Sequence, residues 1–278
     1  MSFKTILSVI GMNQGNRDLE LASEICRDAN AHMSVLVVSP AAAVPIGTYA
    51  DVVSDAWYVE RQRDAKKLTA RVEEVTKLID GKDLSTDIAS EYSEIALIGD
   101  VIGRRARYAD LTLFGPSLLA DEAITDNALD GALFRSGRPV LMVPEKTKAT
   151  LKPKSVSIAW DGSLEAARAV GAAMDLLIAA EDVRIVLVDP VAGEGGHGAE
   201  PGSDLAAYLS RQGIKPSVDR LPSSGHSVSD VLAQHALDNK VELIVMGAYG
   251  HSRLRERIFG GVTRSMLHRV TLPILMAH

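Results

Sequence analysis

The chain has 278 residues, room for two domains of ordinary size, and its 46% hydrophobic and 24% charged residues exclude disorder. Aromatic residues make up only 4%, too few for a base-stacking RNA surface, and a net charge of -6 argues against a general nucleic-acid binder. No run approaches the roughly 18 apolar residues of a membrane span, no secretory cleavage signal follows the first apolar run, and the single cysteine, Cys26, has no partner for an internal disulfide; a soluble, cytoplasmic protein is expected.

The first half opens on an apolar run at 6–10, which predicts a strand. A helical stretch carrying Cys26 among apolar residues follows, then a second strand at 35–38. A long charged helix is expected over 52–80, where Arg61, Arg63, Lys66, Lys67 and Arg71 alternate with acids as on a solvated face. The run 109–115 (Ala-Asp-Leu-Thr-Leu-Phe-Gly) predicts a further strand, and 138–143 (Arg-Pro-Val-Leu-Met-Val) the last one. Residues 144–153 have a proline at each end and no apolar period, and read as a linker.

The second half repeats this order. At one constant offset 156–160 aligns with 6–10 and 185–188 with 35–38; later, 241–247 answers 109–115 and 272–277 answers 138–143. Four matches in the same order indicate a duplication. Strands are expected near 154–160, 183–189, 215–221, 242–246 and 272–276, and helices near 163–180, 203–212, 227–239 and 262–270. Ser163 is a candidate helix cap, as is Ser227 or Ser229. Continuous apolar runs suit strands covered on both faces. Each half is therefore expected to be a doubly wound α/β unit with an open parallel five-stranded sheet: residues 1–146 and residues 147–278. The strands after Pro139 and Pro273 are expected to pair with each other, making one chain the equivalent of a dimer of single domains; a further homodimer is compatible with this reading.

Ligands in such sheets bind at the carboxyl ends of the strands, where the strand order reverses. Three features of the second half fall there: Trp160-Asp161-Gly162-Ser163 after the first strand, Val188-Asp189 at the end of the second, and the glycine-rich stretch after the fourth. That stretch runs Gly247-Ala248-Tyr249-Gly250 and, nine residues on, Gly260-Gly261-Val262-Thr263, which opens the last expected helix. Glycines leave backbone N–H groups bare to an anion, and a helix N-terminus favours phosphate. Asp161 would accept from a ribose hydroxyl or an exocyclic amine. Arg253, Arg255, Arg257 and Arg264 lie close by in sequence, either to offset a polyphosphate or as a solvated face.

This arrangement resembles the universal stress protein family in its tandem two-domain form. The family's ATP signature is Gly, two residues, Gly, nine residues, Gly, then Ser, Thr or Asn; here it falls on Gly247, Gly250 and Gly260, with Gly261 in the hydroxyl position and Thr263 two residues on. The resemblance implies the adenine-nucleotide alpha-hydrolase-like fold, strand order 3-2-1-4-5, in duplicate. It implies that Asp161, Gly162 and the backbone around Val188 hold adenine and ribose, and that Gly247, Gly250, His251, Gly260, Gly261, Val262 and Thr263 surround the phosphates of ATP, with or without Mg2+. It also implies a stress-response role exercised through nucleotide-dependent conformation or partner choice.

The first half departs from the pattern. Gly11 stands at the position of Asp161, Pro116 lacks an N–H, Leu118 replaces the second glycine and Asp126 the third. The net charge lies wholly in residues 1–146, while 147–278 are balanced. ATP binding is therefore expected in the second half alone. No Walker A sequence and no nucleophile elbow is present, so catalysis, if any, would be slow ATP hydrolysis; a regulatory protein that is not an enzyme is the reading preferred. The alternatives are a scaffold that binds no nucleotide, or a binder of another small metabolite in the same crevice, with the glycine-dense loop 192–202 as a flap. His226 is read as a loop residue, and the seven histidines show no zinc spacing.

Overall fold

The computed structural model describes residues 3–41, 50–193, 200–248 and 271–278, together with Val262, Ser265 and Met266. The chain divides into two compact units, Phe3–Ser136 and Gly137–His278.

In the first unit the elements run β1 (Thr5–Gly11), α1 (Arg17–Ala29), β2 (His32–Ala41), α2 (Ala50–Ile79), β3 (Thr86–Glu94), α3 (Ile95–Ala106), β4 (Leu111–Phe114), α4 (Pro116–Leu119) and α5 (Glu122–Phe134). The strands lie in the order β3-β2-β1-β4, all pairs parallel. Every residue of β1 after Thr5 is buried, as a strand with helices on both faces requires. α1 turns one stripe to this core: Leu19, Ala22, Ile25, Cys26 and Ala29 are all buried. Burial pushes the Cys26 thiol up to about 12, so it behaves as the small core residue expected. Among the described residues of the long helix α2, a narrow line is buried, Leu68, Arg71, Val75 and Ile79, at helical spacing.

The second unit holds β5 (Val140–Met142), β6 (Ser155–Ala159), α6 (Leu164–Ala172), α7 (Met174–Ala179), β7 (Asp182–Val188), α8 (Ser203–Arg211), β8 (Ser217–Leu221), α9 (Val228–Asp238), β9 (Leu243–Gly247) and β10 (Ile274–Ala277). Its order is β8-β7-β6-β9-β10-β5. Counted from β6, this is the expected 3-2-1-4-5, parallel throughout, with β5 added antiparallel to β10. Leu141 stands opposite Leu275 at the centre of that pair, so the strands after Pro139 and Pro273 do meet. The helix expected over 163–180 is interrupted at Ala173 (φ −90°, ψ 0°). Hydrogen bonds carry through the break, from Ala173 N to Ala169 O and from Leu177 N to Ala173 O. Of the last expected helix, Val262, Ser265 and Met266 are helical and the remainder lies outside the described residues. Among the described residues, no helix is long and apolar enough to cross a membrane.

Candidate functional site at the carboxyl edge of the second sheet

The chain runs outward from β6 through β7 to β8 on one side and places β9 and β10 on the other, so the order reverses at β6. Just beyond this point β6 lets go of its neighbour. Its ladder with β7 ends at Ala159↔Val186, and the last bond runs from Trp160 N to Val186 O (2.9 Å). Asp161 and Gly162 then project past the sheet and are exposed, while Val188 remains half-buried.

The turn after β6 is built locally. The Ser163 N–H donates to Asp161 Oδ1 (3.0 Å), and Gly162 takes a positive φ of 75° between them. Ser163 then caps α6 as expected, its Oγ accepting from Ala166 N (3.1 Å). Asp161 thus shapes the entry to α6 and still stands at the solvent mouth of the crevice.

At the end of β9 the glycine has a packing role. A Cβ on Gly247 would lie 2.5 Å from Ala166 N and 2.7 Å from Glu165 C. Only a residue without a side chain lets the first turn of α6 come this close to the strand. Gly247 therefore brings the N-terminal turn of α6 to the crevice, a role that anion cradling alone would not suggest. Beside it, Ala248 N donates to Ala277 O (2.9 Å) and His278 Nδ1 donates to Ala248 O (2.9 Å). His278 is far away in sequence and carries no motif, so no pattern pointed to it.

The third side comes from the ends of β7 and β8. Asp189 adopts φ 47°, its N–H donates to Leu221 O (2.9 Å), and its Oδ1 accepts from Ser223 N (2.9 Å). The bonds from the Ser223 side chain and N–H hold the Asp189 carboxyl below its ordinary range. Ser227 caps α9, accepting from Asp230 N (3.2 Å), and His226 is exposed in the preceding turn, in agreement with its reading as a loop residue.

The structure therefore brings Asp161, Gly162, Val188 and Gly247 to one edge of one sheet. Val262 is helical and exposed. Gly250, His251, Gly260, Gly261 and Thr263 lie outside the described residues, as do Arg253, Arg255, Arg257, Arg264 and the centre of the 192–202 loop. Among the described residues, no group of three or more His, Cys, Asp or Glu could hold a metal ion.

Residues 153–278 match the family model of the universal stress protein family. The chain is 29% identical over 139 residues to Universal stress protein Slr1230 of Synechocystis sp., a match covering 50% of this chain and 46% of that protein. The chain thus spans about half the length of the curated relative it matches. Over its whole length it is similar to the crystal structure of a universal stress protein from Archaeoglobus fulgidus, with a TM-score of 0.69, 16% identity and coverage of 100% of this chain and 99% of that one. A Pseudomonas aeruginosa protein of unknown function is similar at a TM-score of 0.59 and 15% identity, covering 99% of this chain and 92% of its own. At these identities the structural likeness speaks for the fold.

Proposed function

Because residues 153–278 match the family model of the universal stress protein family, we propose that the second unit binds an adenine nucleotide, ATP in the first instance, and that occupancy serves regulation. The observation that carries this reading is the early release of β6 from β7, which leaves Asp161, Gly162 and the edge of Val188 outside the ladder at the point where the strand order reverses. The described residues fit such a ligand. A carboxylate at the mouth suits hydroxyl or amine donors, the strand edge suits a flat base, and the N-terminal turn of α6 is held close by Gly247. The sequence spacing from Gly247 to Gly260 supplies the phosphate side of the reading. If Mg2+ accompanies the nucleotide, phosphate oxygens would be its principal ligands.

The test is direct. Purified protein is denatured and any released nucleotide identified, and ATP is then titrated against the wild type and an Asp161→Ala variant. Saturable ATP binding that weakens about tenfold in the variant, the loss of roughly one charged hydrogen bond, is the expected result. No released nucleotide together with no saturable binding would overturn the proposal, and unchanged affinity in Asp161→Ala would move the site elsewhere.

A further inference from the structure

The crevice of the first unit contrasts with that of the second in a way its sequence departures do not explain. β1 stays paired with β2 as far as Gly11↔Val38, and Met12 N still donates to Val38 O (2.8 Å). Past the ladder, Gln14 folds back into the gap: its Oε1 accepts from Gly11 N (2.8 Å) and its Nε2 reaches Asp121 Oδ2 (3.3 Å). A Cβ on Gly11 would lie 2.6 Å from that amide nitrogen, so the glycine makes room for Gln14. From outside, Arg71 of α2, itself buried, donates to Asn16 Oδ1 (2.7 Å) and Gly15 O (3.1 Å), pinning the loop that carries Gln14.

Deeper in, Asp18 is 2% exposed, and its two carboxylate oxygens accept separately from Ser117 N and Leu118 N, both at 2.9 Å. These N–H groups belong to the short helix α4 directly after β4, the counterpart by repeat of the Gly247–Gly250 stretch. A Cβ on Gly115 would lie 2.4 Å from the Asp18 carboxyl carbon. The glycine at the end of β4 is thus fitted to a carboxylate that the chain itself supplies.

We infer that Asp18 is a built-in anionic ligand of the first unit. Its carboxylate occupies the backbone donors that an external phosphate or carboxylate would need, while Gln14 fills the adjoining gap at Gly11, so this crevice is closed from within and takes no nucleotide. The Asp18 carboxylate and Leu118 are buried and Ser117 is half-buried, and the two N–H groups and the carboxylate satisfy each other; removing the anion takes the partner from both donors. The inference concerns residues 3–136 alone and stands whether or not the second unit binds ATP.

The test uses the full chain with Asp18→Ala, compared with wild type at matched ionic strength in sodium chloride and in sodium formate, a carboxylate small enough to enter the vacated space. The expected result is a melting temperature about 5 °C below wild type, partly restored by formate in the variant and unaffected by formate in the wild type. Equal stability of variant and wild type, or a formate response equal in both, overturns the inference. Should Asp18→Ala fail to fold, Asp18→Asn keeps the shape and loses the charge. The backbone amide resonances of Ser117 and Leu118 are then expected to shift upfield and to exchange faster with solvent. Amides that neither shift nor gain exchange in that variant would equally overturn it.

Discussion

The two crevices begin from aligned strands and part company at aligned residues. In the first unit the β1–β2 ladder runs through Gly11↔Val38 and β2 continues to Ala41, paired with β3 as far as Glu94. In the second, the β6–β7 ladder stops at Ala159↔Val186, two residues short of the position of Gly11, and β7 ends at Val188. Ser39 is wholly buried, whereas the aligned Asp189 is exposed and turns the chain at φ 47°. Opening a crevice in this fold is thus a matter of where strand pairing stops as much as of which side chains stand at the edge. Backbone groups still engaged in a ladder are not available to a ligand.

Several substitutions would break or sharpen this contrast, and the largest effect is expected at Gly247. In Gly247→Val the added Cβ would meet backbone atoms of α6, which cannot move aside as a side chain can. A loss of about 3 kcal/mol is expected, visible in urea unfolding, with amide protection falling in β6 and β9 and holding in β1. Wild-type stability would show that α6 relaxes freely.

Gly11→Ala meets only the end of a side chain, the Gln14 amide. Here about 1–2 kcal/mol should be lost, and adding Gln14→Ala should recover part of it. Additive losses in the double-mutant cycle would mean that Gln14 is not what fills the space.

Ser163→Ala removes the α6 cap and should cost about 1 kcal/mol by thermal unfolding. The aligned helix α1 has no side-chain cap from Asn16, whose Oδ1 accepts from Arg71 instead.

The smallest effect concerns pH. The Asp189 carboxyl is held low by its bonds to Ser223. A depressed folded-state value means that this group favours the folded state above the ordinary Asp range, near about 3.9, and that the contribution disappears as pH falls through its lower folded-state midpoint. Carbon-detected titration should place the Asp189 midpoint below an ordinary Asp, and Ser223→Ala should raise it. A midpoint unmoved by Ser223→Ala would assign the shift to another cause.

Much of this architecture is written in local patterns. Buried parallel strands need continuous apolar runs, so β1, β2, β6, β7 and β9 stood out, and the same runs repeated in order exposed the duplication. Helix caps depend on neighbours within one turn, so Ser163 and Ser227 were legible too. The break at Ala173 was not, since no proline marks it.

The sequence by itself determined the α/β class, the two copies, the strand order implied by family resemblance, and the edge of the second sheet where Asp161, Val188 and Gly247 gather. Only the tertiary structure decided what the glycines are for. Gly247 admits a helix turn, Gly115 admits the Asp18 carboxylate, and Gly11 admits Gln14. Asp18 and the residues it binds are about a hundred positions apart, with separations of 99 and 100. A glycine records that something must come close; what comes close is set by chain segments that meet only when the sheet is assembled.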